Sequence, residues 1–269
     1  VFGTDRAVME QALSVQSLKD ELAELAANDS ILHIDLQGRD PDDAFSGVPY
    51  TKGQLFLMYL EQKFGRDKFD PFVKQYFDDH AFQSLDTESF VKYLTANLLQ
   101  KYPGVVSLEE AKNWIYQPGL PATAPNPQSD AFNQVQQHAN NWLAGNTELS
   151  SLPTDNWTVH EWLYFINNLP LSITPEQLAK LDSTFNLTLS SNSEIAHAWY
   201  LLALKPGYQE IAAPLEQYLI NIGRRKLIIP LYKQLASTPE GLAFARAVYE
   251  KARPGYHPLA QGTVDELLK

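Results

Sequence analysis

Apolar residues recur along this chain three and four positions apart, in segments of ten to twenty residues, and no convincing run of strand-like alternation interrupts them. That periodicity limits the chain to helix-on-helix packing and makes its fold class all-α. The expected helices span 5–27, 49–64, 69–78, 88–100, 108–116, 130–144, 159–168, 175–185, 193–204, 208–222, 230–237 and 240–252. Several starts carry their own signal. Ser107–Glu110, Thr158–Glu161 and Thr174–Gln177 have the spacing of a capping box, and Pro175 occupies a first helical position. Thr238-Pro239 repeats the Thr-Pro start without the box. Gly65, Gly145 and Gly223 each follow an apolar helix and mark stops.

One stretch breaks the rhythm. Residues 117–128, "QPGLPATAPNPQ", hold four prolines and no charge, as linkers do. A boundary there separates a first part from residues 129–269, where short helices with short connections suggest an irregular HEAT-like or armadillo-like stack. No fixed repeat period supports a strict solenoid.

The 269 residues carry a formal charge of −11 and include no cysteine. The charge argues against nucleic-acid partners. The missing thiols exclude disulfides and Cys-based metal or nucleophile chemistry. No apolar run approaches the roughly 20 residues of a membrane span. The compartment stays open, with cytoplasm favoured over periplasm. The six histidines never fall within four residues of one another, so no H-E-x-x-H zinc motif is present. His160-Glu161 begins like one, but Tyr164 stands at the second histidine's position, and the pair reads as the start of a capped helix. Phosphate loops and a G-x-S-x-G elbow are also missing.

Two places could carry chemistry. Pro49 sets the φ angle of a first helical turn and places Tyr50 near free backbone N–H groups, ahead of the apolar run Leu55–Leu60. The run is apolar nearly all round, which predicts a deeply buried helix. A phenol at its mouth, protonated at neutral pH, could donate to a developing oxyanion, a contact worth roughly 3–4 kcal/mol. It could equally be a core tyrosine, and pattern alone favours that reading. The second place is Arg224-Arg225-Lys226, the densest positive cluster in the chain. It could bind an anion, or simply complement the C-terminus of helix 208–222. The residue before Pro230 should be non-helical, which places the cluster at a junction between helices.

The stretch "DPDDAFSGVPYTKGQLFLMYLEQKFG" (residues 40–65) resembles the zinc aminopeptidases related to leukotriene A4 hydrolase, whose "DPD-x-A-x-S-x-VPY-x-KG" loop precedes an apolar "YLEQ" helix. "WIYQPGLP" (114–121), Ser193-Glu194-Ile195 with Trp199, "GRRKLIIPLYKQL" (223–235) and "YHP" (256–258) resemble the same family in the same order, and bacterial members in particular. The resemblance implies that residues 1–118 are the helical rear half of a thermolysin-like catalytic domain. Residues 119–128 would be the linker, and 129–269 the family's helical C-terminal domain. It implies that Tyr50 donates its phenol to the tetrahedral intermediate and that Arg224 and Lys226 hold the free carboxylate of a short peptide. Asp42 matches an aspartate of the substrate channel, though it could also cap the turn that follows it. Phe45 replaces a second tyrosine found in leukotriene A4 hydrolase, which argues for peptidase activity without epoxide hydrolysis. The zinc ligands of such a parent would lie upstream of residue 1. The expected partners are therefore peptide substrates and the remaining N-terminal domains of the same polypeptide, and this chain alone is expected to hold no zinc and to be inactive. Without the resemblance, a non-catalytic helical module used for packing or partner binding remains an alternative.

Overall fold

The computed structural model describes residues 3–41 and 46–269. All regular elements among the described residues are helical, so the all-α expectation holds. The chain divides into two compact units, Val1–Gln128 and Ser129–Lys269.

The first unit contains α1 (Thr4–Glu24), α2 (Gly53–Phe64), α3 (Arg66–Asp79), α4 (Thr87–Leu94) and α5 (Leu108–Tyr116). Its core gathers Leu18, Leu55, Leu60, Leu94 and Leu98 around Trp114. The Trp114 ring stacks on Phe56 and tilts against Tyr59, with centroids 5.5 and 5.6 Å away. α2 and α3 meet at Gly65 alone, whose φ of +75° turns the chain between them and would strain any residue with a Cβ. α5 starts at the expected capping box: Ser107 N–H donates to the Glu110 carboxylate at 2.8 Å, and Glu110 N–H to Ser107 Oγ at 3.1 Å.

The second unit contains α6 (Asp130–Leu143), α7 (Val159–Asn167), α8 (Pro175–Phe185), α9 (Ser193–Leu204), α10 (Ala212–Asn221), α11 (Arg225–Leu235), α12 (Pro239–Ala252) and α13 (Pro258–Leu267). Packing runs along the chain: α7 lies between α6 and α9, α9 against α11, and α11 against α12 and α13. Phe165, Leu178, Trp199, Leu231, Tyr232 and Val264 are buried together in its core. Glu161 and Gln177 close back onto the N–H groups of Thr158 and Thr174, at 2.7 and 3.0 Å.

The structure corrects several local expectations. Helix 49–64 opens as a separate π-helical turn, Val48–Lys52, before α2 proper. α2 is not buried all round, since Leu57 is exposed and Met58 only half-buried. Segment 88–100 is α4 followed by a π turn at Thr95–Leu99, and segment 208–222 starts as a 3-10 turn at Gln209–Ile211. α11 starts at Arg225 and carries Pro230 within it, so the residue before this proline is helical after all. The proline forfeits one backbone bond, while Leu227, Ile228, Leu231, Tyr232 and Leu235 bury the helix's apolar face. Gly223 is not a left-handed stop, because α10 already ends at Asn221 with an extended Ile222. α13 is a helix that sequence periodicity did not reveal; Pro258 and the His257 cap mark its start.

Candidate functional site

Tyr50 stands in the middle of the Val48–Lys52 turn with 64% of its surface exposed, so it is not a core tyrosine. Pro49, Tyr50, Gln54, Leu57 and Glu61 line an open groove of about 720 Å³ together with Phe69 and Phe90. Both ends of the turn are tied down. At the start, the Glu21 carboxylate accepts the Gly47 N–H at 3.1 and 3.0 Å. A Cβ on residue 47 would meet Glu21 Oε2 at 2.6 Å and force that carboxylate to shift. Val48 N–H donates to Ser46 Oγ at 3.2 Å, and Thr51 N–H to the Gly47 carbonyl at 2.8 Å.

At the other end lies Lys52, whose surface is 0% exposed. Its Nζ donates to the carbonyls of Ser30 at 2.9 Å and Gln117 at 2.8 Å. Ser30 Oγ in turn accepts the Gly119 N–H at 2.9 Å and donates to the Ala27 carbonyl at 2.6 Å. One buried amine thus joins three segments distant in sequence. Burial pushes its pKa down to about 8. Sequence reasoning assigned Lys52 no role. The available signal was periodicity, since position 52 falls on the same helical stripe as the buried Leu55, Phe56 and Tyr59.

Arg224 and Lys226 lie in the second unit, at the start of α11 rather than at the C-terminus of the preceding helix. Cations there oppose the helix dipole instead of complementing it, so helix stability does not explain them. Both converge on Glu194 in the first turn of α9: Arg224 Nη1 lies 3.0 Å from Oε1, and Lys226 Nζ 3.5 Å from Oε2. Arg225 turns away and donates to Thr263 Oγ1 at 3.1 Å. The start of α9 is held in place by Tyr218, whose hydroxyl donates to the Ser193 carbonyl at 2.9 Å. One turn on, His197 Nδ1 lies 2.8 Å from the Leu227 carbonyl and ties α9 to α11; burial lowers its pKa and favours the neutral ring. The cluster thus brings two cations and one carboxylate to two helix N-termini, a setting that attracts anions.

The remaining expected site residue, Asp42, and the informative Phe45 lie outside the described residues. No group of three or more His, Cys, Asp or Glu side chains among the described residues is placed to hold a metal ion, so the zinc that the resemblance implies does not fit the residues described. None of the described helices is long and apolar enough to cross a membrane.

Comparison with known proteins yields matches on both units. Residues 3–110 match the family model for the peptidase family M1 domain, and residues 157–268 that for the leukotriene A4 hydrolase C-terminal region. Leucine aminopeptidase 2 of Coccidioides immitis is 32% identical over 245 residues, covering 87% of this chain and 39% of that protein. A leukotriene A4 hydrolase homologue of Botryotinia fuckeliana is 30% identical over 243 residues, covering 88% of this chain and 37% of that protein. The structure of yeast leukotriene A4 hydrolase in complex with bestatin superposes with a TM-score of 0.85 at 25% identity, over 100% of this chain and 47% of that one. The chain thus spans about two fifths of the length of these curated relatives. The relatives are fungal and do not show the bacterial membership that the sequence suggested.

Proposed function

From the premise that this chain belongs to the M1 peptidases of the leukotriene A4 hydrolase type, matching their C-terminal part, we propose that it supplies the oxyanion donor and the carboxylate anchor of an aminopeptidase that removes N-terminal residues from peptides. In this reading the zinc of the complete enzyme is held by residues other than those described here, and residues 1–118 are the rear half of a thermolysin-like catalytic domain.

The observation that carries the reading is the combination of exposure and restraint at Tyr50. Its side chain is 64% exposed beside a groove, while the turn beneath it is tied at one end through the Gly47 N–H and at the other through the Lys52 amine. A side chain kept for packing would be buried. A donor to a transition state must instead be accessible and already positioned, so that little reorganisation accompanies the developing charge. The phenol donates one hydrogen bond to the carbonyl oxygen as it gains negative charge, and withdraws from it as the carbonyl re-forms.

The Arg224–Lys226 cluster suits the free carboxylate of a short peptide. A guanidinium offers paired N–H donors to a carboxylate, and the ammonium adds a point charge. Asp42 is proposed to belong to the substrate channel, and Phe45 in place of a hydroxyl-bearing residue favours peptidase over epoxide-hydrolase chemistry.

The test is Tyr50→Phe in the full-length enzyme. Loss of a contact made only in the transition state should lower kcat on the order of 10²- to 10³-fold with KM little changed. Equal kcat in the two proteins refutes the assignment.

A further inference from the structure

The least economical residue in the first unit is Lys52. It is 0% exposed, and no carboxylate among the described residues forms an ion pair with it. Burying an ammonium in this way is costly, and an apolar side chain of similar volume would serve packing better. What the amine does that a methionine or leucine cannot is bond two carbonyls at once, Ser30 at 2.9 Å and Gln117 at 2.8 Å. Those carbonyls belong to the 3-10 turn Ala27–Ser30 and to the end of α5. A direct bond from Gly119 N–H to Ser30 Oγ, 2.9 Å long, joins the same two segments. The third segment in the knot is the turn that carries Tyr50, two residues before Lys52.

We propose that Lys52 is the positioning residue for Tyr50: its buried amine locks the Val48–Lys52 turn onto the Ser30 and Gln117 carbonyls, and so fixes where the exposed phenol stands. This rests on the reading of Tyr50 as the oxyanion donor. The physical need is specific. Tyr50 is 64% exposed, and the backbone beneath it sets where its side chain starts. A displacement of about 1 Å in a catalytic group can cost on the order of 10²-fold in rate. The Glu21–Gly47 contact restrains the first end of the turn; among the described residues, Lys52 restrains the second end through bonds to residues 22 and 65 positions away.

The test is a double-mutant cycle in the full-length enzyme with a tripeptide substrate: Lys52→Met, Tyr50→Phe and both together. Lys52→Met should lower kcat on the order of 10- to 100-fold with KM within about two-fold. In the Tyr50→Phe background the same change should have almost no further effect on kcat, because the residue it positions has lost its hydroxyl. Equal effects in the two backgrounds overturn the proposal and show a general structural role, leaving the reading of Tyr50 intact. A Tyr50→Phe variant with unchanged kcat instead removes the reading of Tyr50, and this inference with it. Should Lys52→Met not fold, Lys52→Gln, whose amide still donates to one carbonyl, decides by the same criterion of additivity.

Discussion

If Arg224 and Lys226 bind the carboxylate of a short peptide, Glu194 competes with it, and removing the competitor should tighten binding by a calculable amount. Glu194 contacts both cations, at 3.0 and 3.5 Å. Its side chain is 31% exposed and those of the cations 64% and 65%, so the cluster is a solvated one with a high effective dielectric. Glu194→Gln raises its net charge from +1 to +2 without changing side-chain size. A substrate carboxylate shared between the same two cations would lie roughly 5 Å from the Glu194 carboxylate. Two like charges at that separation repel by about 0.8 kcal/mol in bulk water. A Debye length of about 8 Å removes nearly half of this at physiological ionic strength. The expected gain is therefore about two- to four-fold in Kd. KM for a tripeptide with a free C-terminus should fall by that factor in the full-length Glu194→Gln enzyme. It should fall more at low salt, and stay unchanged for the same tripeptide carrying a C-terminal amide. A rise in KM would mean that Glu194 holds the cations in place rather than competing for them. An equal change for the amide would mean that the cluster does not read the carboxylate. Either result refutes the reasoning.

Two further outcomes concern stability. Asp182 accepts from Thr188 N–H at 2.8 Å, Thr188 Oγ1 at 2.7 Å and the Tyr208 hydroxyl at 3.2 Å, while the Trp199 indole donates to Thr188 Oγ1 at 2.8 Å. Asp182→Ala should cost about 3 kcal/mol, since it strands several partly buried donors, and a loss below about 1 kcal/mol in urea unfolding would show that water replaces the carboxylate at no cost. Asp265 has its pKa lowered from 3.8 to about 2 by hydrogen bonds from Arg253 and Tyr249. A depressed carboxylate stabilises the fold fully above its unfolded pKa and ceases to do so as pH falls through the folded value. The contribution should therefore fade between about pH 3.8 and 2; Asp265→Asn should flatten the pH dependence of Tm in that window, and an unchanged slope would contradict the assignment.

Much of the helical skeleton was legible because its signals are local. α5, α8 and α9 occupy the expected ranges, 108–116, 175–185 and 193–204, and each opens at a side-chain cap lying within three residues of the bonds it makes. Errors arose where a neighbouring element overrode the local rule. Pro230 marks a break in isolation, yet the apolar face of α11 packs against α9, α12 and α13 and carries the helix through it. The Val48–Lys52 turn reads as the first turn of α2, but it is a separate π turn tied at its ends to Glu21 and Ser30, from earlier in the chain.

The candidate site divides along the same line. Sequence alone determined the all-helical class, the caps and the motif that singled out Tyr50, Arg224 and Lys226. Only the tertiary structure decided that Tyr50 is exposed, that Lys52 two residues later is buried, and that Arg224 and Lys226 face Glu194, from an earlier helix. Periodicity records which face of a helix is apolar, because side chains three and four apart share a face. Whether a polar side chain on that face is buried, and what satisfies it there, depends on groups brought in from distant segments. For Lys52 those groups are two backbone carbonyls, 22 and 65 residues away, and a carbonyl carries no mark in the sequence of where it will point.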